Sequence, residues 1–314
     1  MKRTRILLFY LAALFYSAGI SAGAAANAVL GAGFTLDQAI DIALENNPKL
    51  KAKNAAWQSV AQRRPQAEAL PDPEVGIDNW NIPEDISIGK TGTTIFWASQ
   101  KFPYPGKLKL RGEVVSGDTE AAKIRLEKAE IDLVSDISRS YHELLYIDNL
   151  TSITQENKQL AERLTNVINA RYSVGESNLN DVLKEQSHLD LLVENLALLA
   201  DMRTAENARI NTLLGMPTAS VVGRPEEMEV FKPDIDADEY FRSALENRQE
   251  LNIDSIEIAK NLKQLKLAEK ERYPDFNVTL KRFLNYRSAN GYGLFVGMSL
   301  PIWGGKNRAR VNEA

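Results

Sequence analysis

The stretch 171-RYSVGESNLNDVLKEQ-186 interrupts what otherwise reads as one very long run of helix. No proline falls between Pro105 and Pro217, and seven-residue apolar spacings continue on both sides of the interruption. Before it, Ile153, Leu160, Val167 and Val174 are each seven apart, as are Ile137 with Leu144 and, at twice that spacing, Leu150 with Leu164. After it, Val182, Leu189 and Leu196 resume the spacing, with Leu192 and Leu199 beside them. Such a repeat marks helices packed side by side. Gly175 supplies a positive φ, Ser177 or Asn178 can cap a returning helix, and Asp181 sits where the helix dipole favours a carboxylate. The patch is therefore predicted to be the turn of an antiparallel helical hairpin. Its first arm runs from Asp118 to Val174, on the order of 85 Å at about 1.5 Å per residue. Its second arm stops at Gly215 and Pro217.

The segments flanking this hairpin repeat one another. AIDIALENNPKLK from Ala39 resembles YFRSALENRQELN from Tyr240, with Ala43 and Ala244 equivalent at an offset of 201. EALPDPEVGI matches ERYPDFNVTL, pairing Pro71 with Pro274 and Asp72 with Asp275 at an offset of 203. QKFPYPGKLKLR matches MSLPIWGGKNRAR, pairing Pro103 with Pro301 and Lys107 with Lys306 at offsets of 198 and 199. Three landmarks in one order at nearly constant spacing indicate a tandem duplication. The predicted organisation is a first repeat over 29–233 and a second over 234–314. Each opens with helices, the first capped at Thr35 and followed by one starting at Pro48, with Pro65 an irregularity.

Two strand-like runs follow the helices in each repeat. Phe276, Val278, Leu280, Leu284 and Tyr286 alternate with Asn277, Thr279, Lys281 and Asn285. Beyond a turn at Asn290-Gly291, residues Tyr292, Leu294, Val296, Met298, Leu300 and Ile302 alternate with Gly293, Gly297 and Ser299. PEVGIDNWNI and TTIFWASQKF are the weaker equivalents in the first repeat. Trp80, Trp97, Tyr104, Phe283, Tyr286, Tyr292 and Trp303 lie near the ends of these runs, as interface aromatics do on membrane strands. A soluble antiparallel sheet with one buried face fits the alternation equally well, and the strands alone leave both readings open.

The N-terminus narrows the setting. MKRTR, then ILLFYLAALFYSAGI, then SAGAAANA have the charge, apolarity and small residues of a secretory signal peptide, here assigned to 1–28 with cleavage near Ala26 or Ala28. Losing Lys2, Arg3 and Arg5 would take the formal charge from −4 to −7. There is no cysteine, so an exported chain of this kind relies on packing or assembly rather than disulfides. No later segment is apolar for long enough to make a transmembrane helix, so a membrane span would be built from strands. No basic tract suggests nucleic acid. The only histidines, His142 and His188, fall within the heptad helices, and no catalytic, phosphate-binding, dinucleotide or metal-ligand motif occurs. Neither enzyme, cofactor nor metal site is expected. If the strands do cross a bilayer, four cannot close a barrel, and open edges are not tolerated in lipid. Several chains would have to pool them.

The duplicated plan, LPDPEVGI and YPDFNVTL opening the strands, FPYPGKLKLRGE leaving them and ARYSVGESNLNDVLKEQ at the turn together resemble the TolC-like outer-membrane efflux proteins. The resemblance runs from about residue 35 to the end, and FPYPGK looks more like the metal-efflux branch. It implies a mainly α chain with a small transmembrane β part. Three copies would form a homotrimer whose twelve strands make a barrel in outer-membrane lipid, with the helices forming a periplasmic tunnel. It further implies a periplasmic adaptor docking at the tip, here Val174, Gly175 and Glu176, and an inner-membrane efflux pump supplying cargo. Asp181 would lie near the periplasmic entrance. Pro71, Pro103, Pro105, Pro274 and Pro301 would mark the junction of barrel and helices. The family's plan carries a second hairpin after Lys306, which this chain lacks, so a truncated, non-conducting product is the corresponding expectation. The rival reading is a soluble periplasmic adaptor with one coiled-coil hairpin; against it, the flanks here are repeats of each other.

Overall fold

The computed structural model describes residues 33–81, 92–227, 236–285 and 289–314. The proposed signal peptide and Tyr286 lie outside them. The elements follow in order: α1 (Leu36–Asn46), α2 (Pro48–Ala61), α3 (Arg63–Glu68), β1 (Glu74–Trp80), β2 (Thr93–Phe102), α4 (Lys107–Ser173), α5 (Leu179–Leu214), α6 (Ala237–Asn247), α7 (Gln249–Lys270), β3 (Asp275–Asn285), β4 (Gly291–Ser299) and α8 (Gly304–Glu313). The described chain is mostly helical, with one four-stranded antiparallel sheet in the order β1-β2-β3-β4. No described helix is long and apolar enough to cross a membrane.

Local chemistry accounts for the helix ends. Thr35 accepts from the Gln38 N–H at 3.3 Å while Gln38 Oε1 accepts from the Thr35 N–H at 3.2 Å, a reciprocal capping box. Helix α6 spans the same eleven positions 201 residues later, capped by Asp236, whose Oδ1 accepts from the Ala237 N–H at 2.8 Å. Pro65 falls where α2 gives way to the short α3, as expected. Helix α4 begins at Lys107, eleven residues before the predicted start at Asp118. Gly112 and Gly117, in the added turns, are places of close approach. A Cβ on Gly112 would meet the Glu68 side chain, and one on Gly117 would come within 3.0 Å of Lys260.

By packing, the described chain separates into two compact units, one drawn from Met1–Pro48 and Glu130–Lys232, the other from Lys49–Ala129 and Pro233–Ala314. This division differs from the division by repeat. The first unit holds the hairpin. Its core is Phe34, Ala39, Ala43, Ile137, Leu144, Ile210 and Leu214, all buried, with α1 laid on α5. Tyr141 is fully buried within it, its hydroxyl 2.8 Å from the Glu226 carbonyl and 3.1 Å from that of Phe34. Burial pushes its pKa up, which keeps the phenol neutral and donating. Asn211 fastens the strap beyond Pro217, donating to the Ser220 carbonyl at 2.7 Å. The arms run antiparallel: Asp148 accepts from Arg203 Nε at 2.7 Å, and Ser140 hydrogen-bonds Glu206 further from the turn.

The seam between the arms differs from expectation. Ile153, Leu160, Val167 and Val174 are exposed, whereas Thr154, Ala161 and Thr165 are buried. Small residues let two helices approach closely. The apolar stripe faces solvent.

The second unit holds the sheet. Ion pairs tie α4 to α7 in the same unit: Lys260 to Asp118 at 3.0 Å, Arg125 to Glu257 at 3.3 Å and Lys128 to Glu250 at 3.3 Å. Lys260, hydrogen-bonded to Glu257, holds that carboxyl below its usual range.

Candidate functional site

The tip is built by a glycine motif. Gly175 has φ 79°, its N–H donates to the Tyr172 carbonyl at 3.0 Å, and the Glu176 N–H donates to the Arg171 carbonyl at 2.9 Å. This pair of bonds is a Schellman motif, which satisfies carbonyls that the end of α4 would otherwise leave bare. Asn178 then caps α5, with the Asp181 N–H donating to its Oδ1 at 2.9 Å, and the Ser177 hydroxyl donates to the Asp181 carboxylate at 3.2 Å. Val174, Glu176 and Asp181 are exposed, and a Cβ on Gly175 would find nothing within 4 Å. The four residues named for docking and entrance thus share one short, solvent-facing turn.

The sheet separates two chemistries by strand parity. One face carries Val75 and Ile77, Phe96 and Ala98, Val278 and Leu280, and Leu294, Val296 and Met298, and most of these are exposed. The other carries a hydrogen-bonded polar ladder. Thr93 donates to Asn285 at 2.9 Å, Ser99 donates to Asn277 at 2.9 Å, and Thr279 lies 3.0 Å from Ser99. An apolar face left to solvent beside a satisfied polar face inverts the usual economy of a water-soluble sheet, in which the apolar side is covered. It suits a strand wall with lipid on one side and water on the other. Among the described residues Arg282 is the sole charge on the apolar face. It lies near the hairpin end with its guanidinium 4.3 Å from the centre of the Tyr292 ring, a cation–π contact.

Parity also divides the aromatic set between the two faces. Tyr292 is on the apolar face, but Trp80, Trp97 and Phe283 belong to the polar one. Trp97 crosses Gly76, where no Cβ would fit, and its indole N–H donates to Asp78 at 3.1 Å; Phe283 lies against Gly293 in the same way. Tyr104 stacks on Tyr273 at 4.6 Å, below the strands, and Trp303 is exposed just before α8.

Where strands meet helices, the expected junction is an ion-pair network that the prolines alone did not reveal. Lys107 is only 1% exposed; its ammonium donates to Asp275 Oδ1 at 2.8 Å and to the Tyr273 carbonyl at 2.9 Å. Asp275 also accepts from the Tyr104 N–H at 3.0 Å, and Arg111 reaches Glu271 at 3.0 Å. Pro103 and Pro105 lead into this network and Pro274 sits inside it, while Pro71 and Pro301 occupy the equivalent places at the two outer strands. The legible signal was the duplicated pattern of Asp275 with Asp72 and Lys107 with Lys306, whose partners sequence could not assign. Among the described residues no group of three His, Cys, Asp or Glu side chains is placed to hold a metal ion.

Known proteins share this arrangement. Over 299 residues the chain is 22% identical to Nodulation protein T of Rhizobium leguminosarum bv. viciae, covering 89% of this chain and 61% of that protein. It is 24% identical over 235 residues to the pyoverdine export outer membrane protein OpmQ of Pseudomonas putida, covering 65% of this chain and 50% of that one. The chain therefore spans only half to about three-fifths of the length of these curated relatives. The fold is that of CusC (TM-score 0.74, 15% identity, 91% of this chain and 70% of that chain). It is also that of the outer membrane protein VceC of Vibrio cholerae (TM-score 0.71, 15% identity, 88% and 71%). With a model of the outer membrane efflux protein matching residues 39–216, more than half its length, the chain belongs to the outer membrane efflux protein family.

Proposed function

We propose that this chain forms part of the wall of a passive conduit from periplasm to exterior, with its strands in the outer membrane and its hairpin in the periplasm. Three copies, as the family resemblance implies, pool four strands each into a twelve-stranded barrel. The observation that carries the reading is the sheet, apolar and exposed on one face and polar and hydrogen-bonded on the other, with both edge strands open. Open edges in lipid leave backbone groups unsatisfied at several kcal/mol each, so the edges must be paired. Pairing by further copies is the economical solution.

The same reading assigns the exposed turn of Val174, Gly175 and Glu176 to a periplasmic adaptor and places Asp181 at the entrance. Cargo is delivered by an inner-membrane pump. As a family member the chain is a transport protein and not an enzyme. Its contribution is shape and a polar lining.

Fractionation tests this directly. The protein should sediment with outer membranes, resist extraction by high salt and dissolve only in detergent. A protein released by salt alone would instead be a soluble hairpin adaptor, and the conduit reading would fall.

A further inference from the structure

The apolar face of the sheet is not a uniform wall. Its side chains fall into rows that cross all four strands. One row runs Val75, Ala98, Leu280, Leu294, and the next, nearer the strand hairpins, runs Ile77, Phe96, Arg282, Tyr292. Ala98 is the smallest side chain of its row, and a groove of about 550 Å³ opens beside it. The groove is apolar along Val75, Ile77, Phe96 and Leu280, and Arg282 and Tyr292 line it as well.

Arg282 is half-buried and pairs with no carboxylate among the described residues; its recorded contact is the Tyr292 ring. A cation on a lipid-facing surface is costly and is kept where something pairs with it. The ring covers one face of the guanidinium and leaves its N–H edges able to grip a phosphate with two hydrogen bonds. The depth is suited to that. In the following row the face turns polar, with the Thr94 hydroxyl donating to Asn79 at 2.9 Å. Arg282 therefore stands where an apolar surface gives way to a polar one. It stands towards the strand hairpins, the ends of the strands opposite those that join the helices. With the helices in the periplasm, that end meets the outer leaflet. A free anion would satisfy the arginine and leave the groove empty, whereas a phosphate carried on acyl chains matches both.

We propose that this groove holds a phosphorylated, acylated glycolipid of the outer leaflet. An acyl chain lies along Val75, Ala98 and Leu280, and a phosphate is held by Arg282 beside Tyr292. The inference rests on the reading that the strands stand in outer-membrane lipid, and adds to it a specific lipid and the residues that select it.

Native mass spectrometry of the full chain, purified from membranes in detergent, can compare diphosphorylated lipid A with the same lipid stripped of its phosphates. The protein should bind the phosphorylated form about tenfold more tightly, as a charge-assisted contact predicts. Arg282→Gln should abolish that preference, and Arg282→Lys should keep part of it. Ala98→Leu, which adds a side chain to an exposed position, should weaken both lipids alike by filling the groove. Equal binding of the two lipids, or a preference unchanged in Arg282→Gln, would overturn the phosphate site. Unchanged binding in Ala98→Leu would overturn the acyl groove. Fractionation of the same cells separates this failure from that of the underlying reading. A protein that sediments with outer membranes but shows no phosphate preference would lose the lipid site and keep its strands in lipid. One released by salt alone would lose both.

Discussion

The two repeats share helices, strands and base charges, and a part that is covered in one stands bare in the other. Helices α1 and α6 occupy equivalent positions at equal length, yet Ala39 and Ala43 of α1 are fully buried, with α1 laid on α5, whereas their counterparts Tyr240 and Ala244 of α6 are exposed. Lys107 is buried in an ion pair, and its counterpart Lys306 stands in solvent. Within the first repeat the two helix-ending glycines show the same contrast between covered and bare. A Cβ on Gly215 would lie 2.7 Å from the Asn46 carbonyl oxygen, while Gly175 faces open space. Local sequence therefore sets the element, its caps and its register, but burial depends on whether a covering surface is within reach.

The ion pairs give the sharpest way to break this contrast. Replacing Asp275 with Asn removes the nearer of the two carboxylates that pair with the buried Lys107 ammonium, leaving Glu271 at 3.6 Å, and should cost about 3 kcal/mol in urea unfolding, because weakening a buried pair is far worse than losing an exposed one. Asp72→Asn should change the stability of an isolated chain by less than about 0.5 kcal/mol. Equal effects would erase the distinction. Next come the glycines. Gly215→Ala combines a left-handed backbone with a clash against main chain and should cost roughly 2–4 kcal/mol. Thermal unfolding would read it.

In the helices, Ala43→Leu forces a large side chain into a filled site and should cost about 1–3 kcal/mol, whereas Ala244→Leu should be nearly neutral. The smallest effect is at the tip. Gly175→Ala meets no neighbour, so only the positive φ opposes it, at about 1 kcal/mol. A cost there as large as at Gly215 would mean that the tip is packed rather than open.

Much of this was legible in sequence. The turn at Gly175, the C-cap at Gly215 and the strand alternation of Phe276 to Asn285 depend on neighbours within a few residues, and they formed as local rules require. What sequence could not supply was the partner. The stripe of Ile153, Leu160 and Val167 announces a helix-packing face, but heptad spacing does not say which helix fills it. Here Thr154, Ala161 and Thr165 are the buried positions instead. Gly112 and Gly117 illustrate the same limit, since a glycine that admits a neighbour looks identical to one that ends a helix. Trp97 and Phe283 fall on the face opposite the exposed apolar one, because parity along a strand, not closeness to its end, sets the face. Tyr141 and its two carbonyl neighbours left no pattern at all, because Phe34 and Glu226 are brought to it only by the folded strap.

The central claim is that the sheet stands between lipid and water. A cysteine scan of β3 in outer membranes tests it most directly, with a thiol-reactive fluorophore read against brominated lipid and against a water-soluble quencher. Positions 276, 278, 280 and 284 should be quenched by lipid, and 277, 279, 281 and 285 by the aqueous quencher, alternating residue by residue. Aqueous quenching at every position, with no alternation, would contradict a membrane-spanning wall.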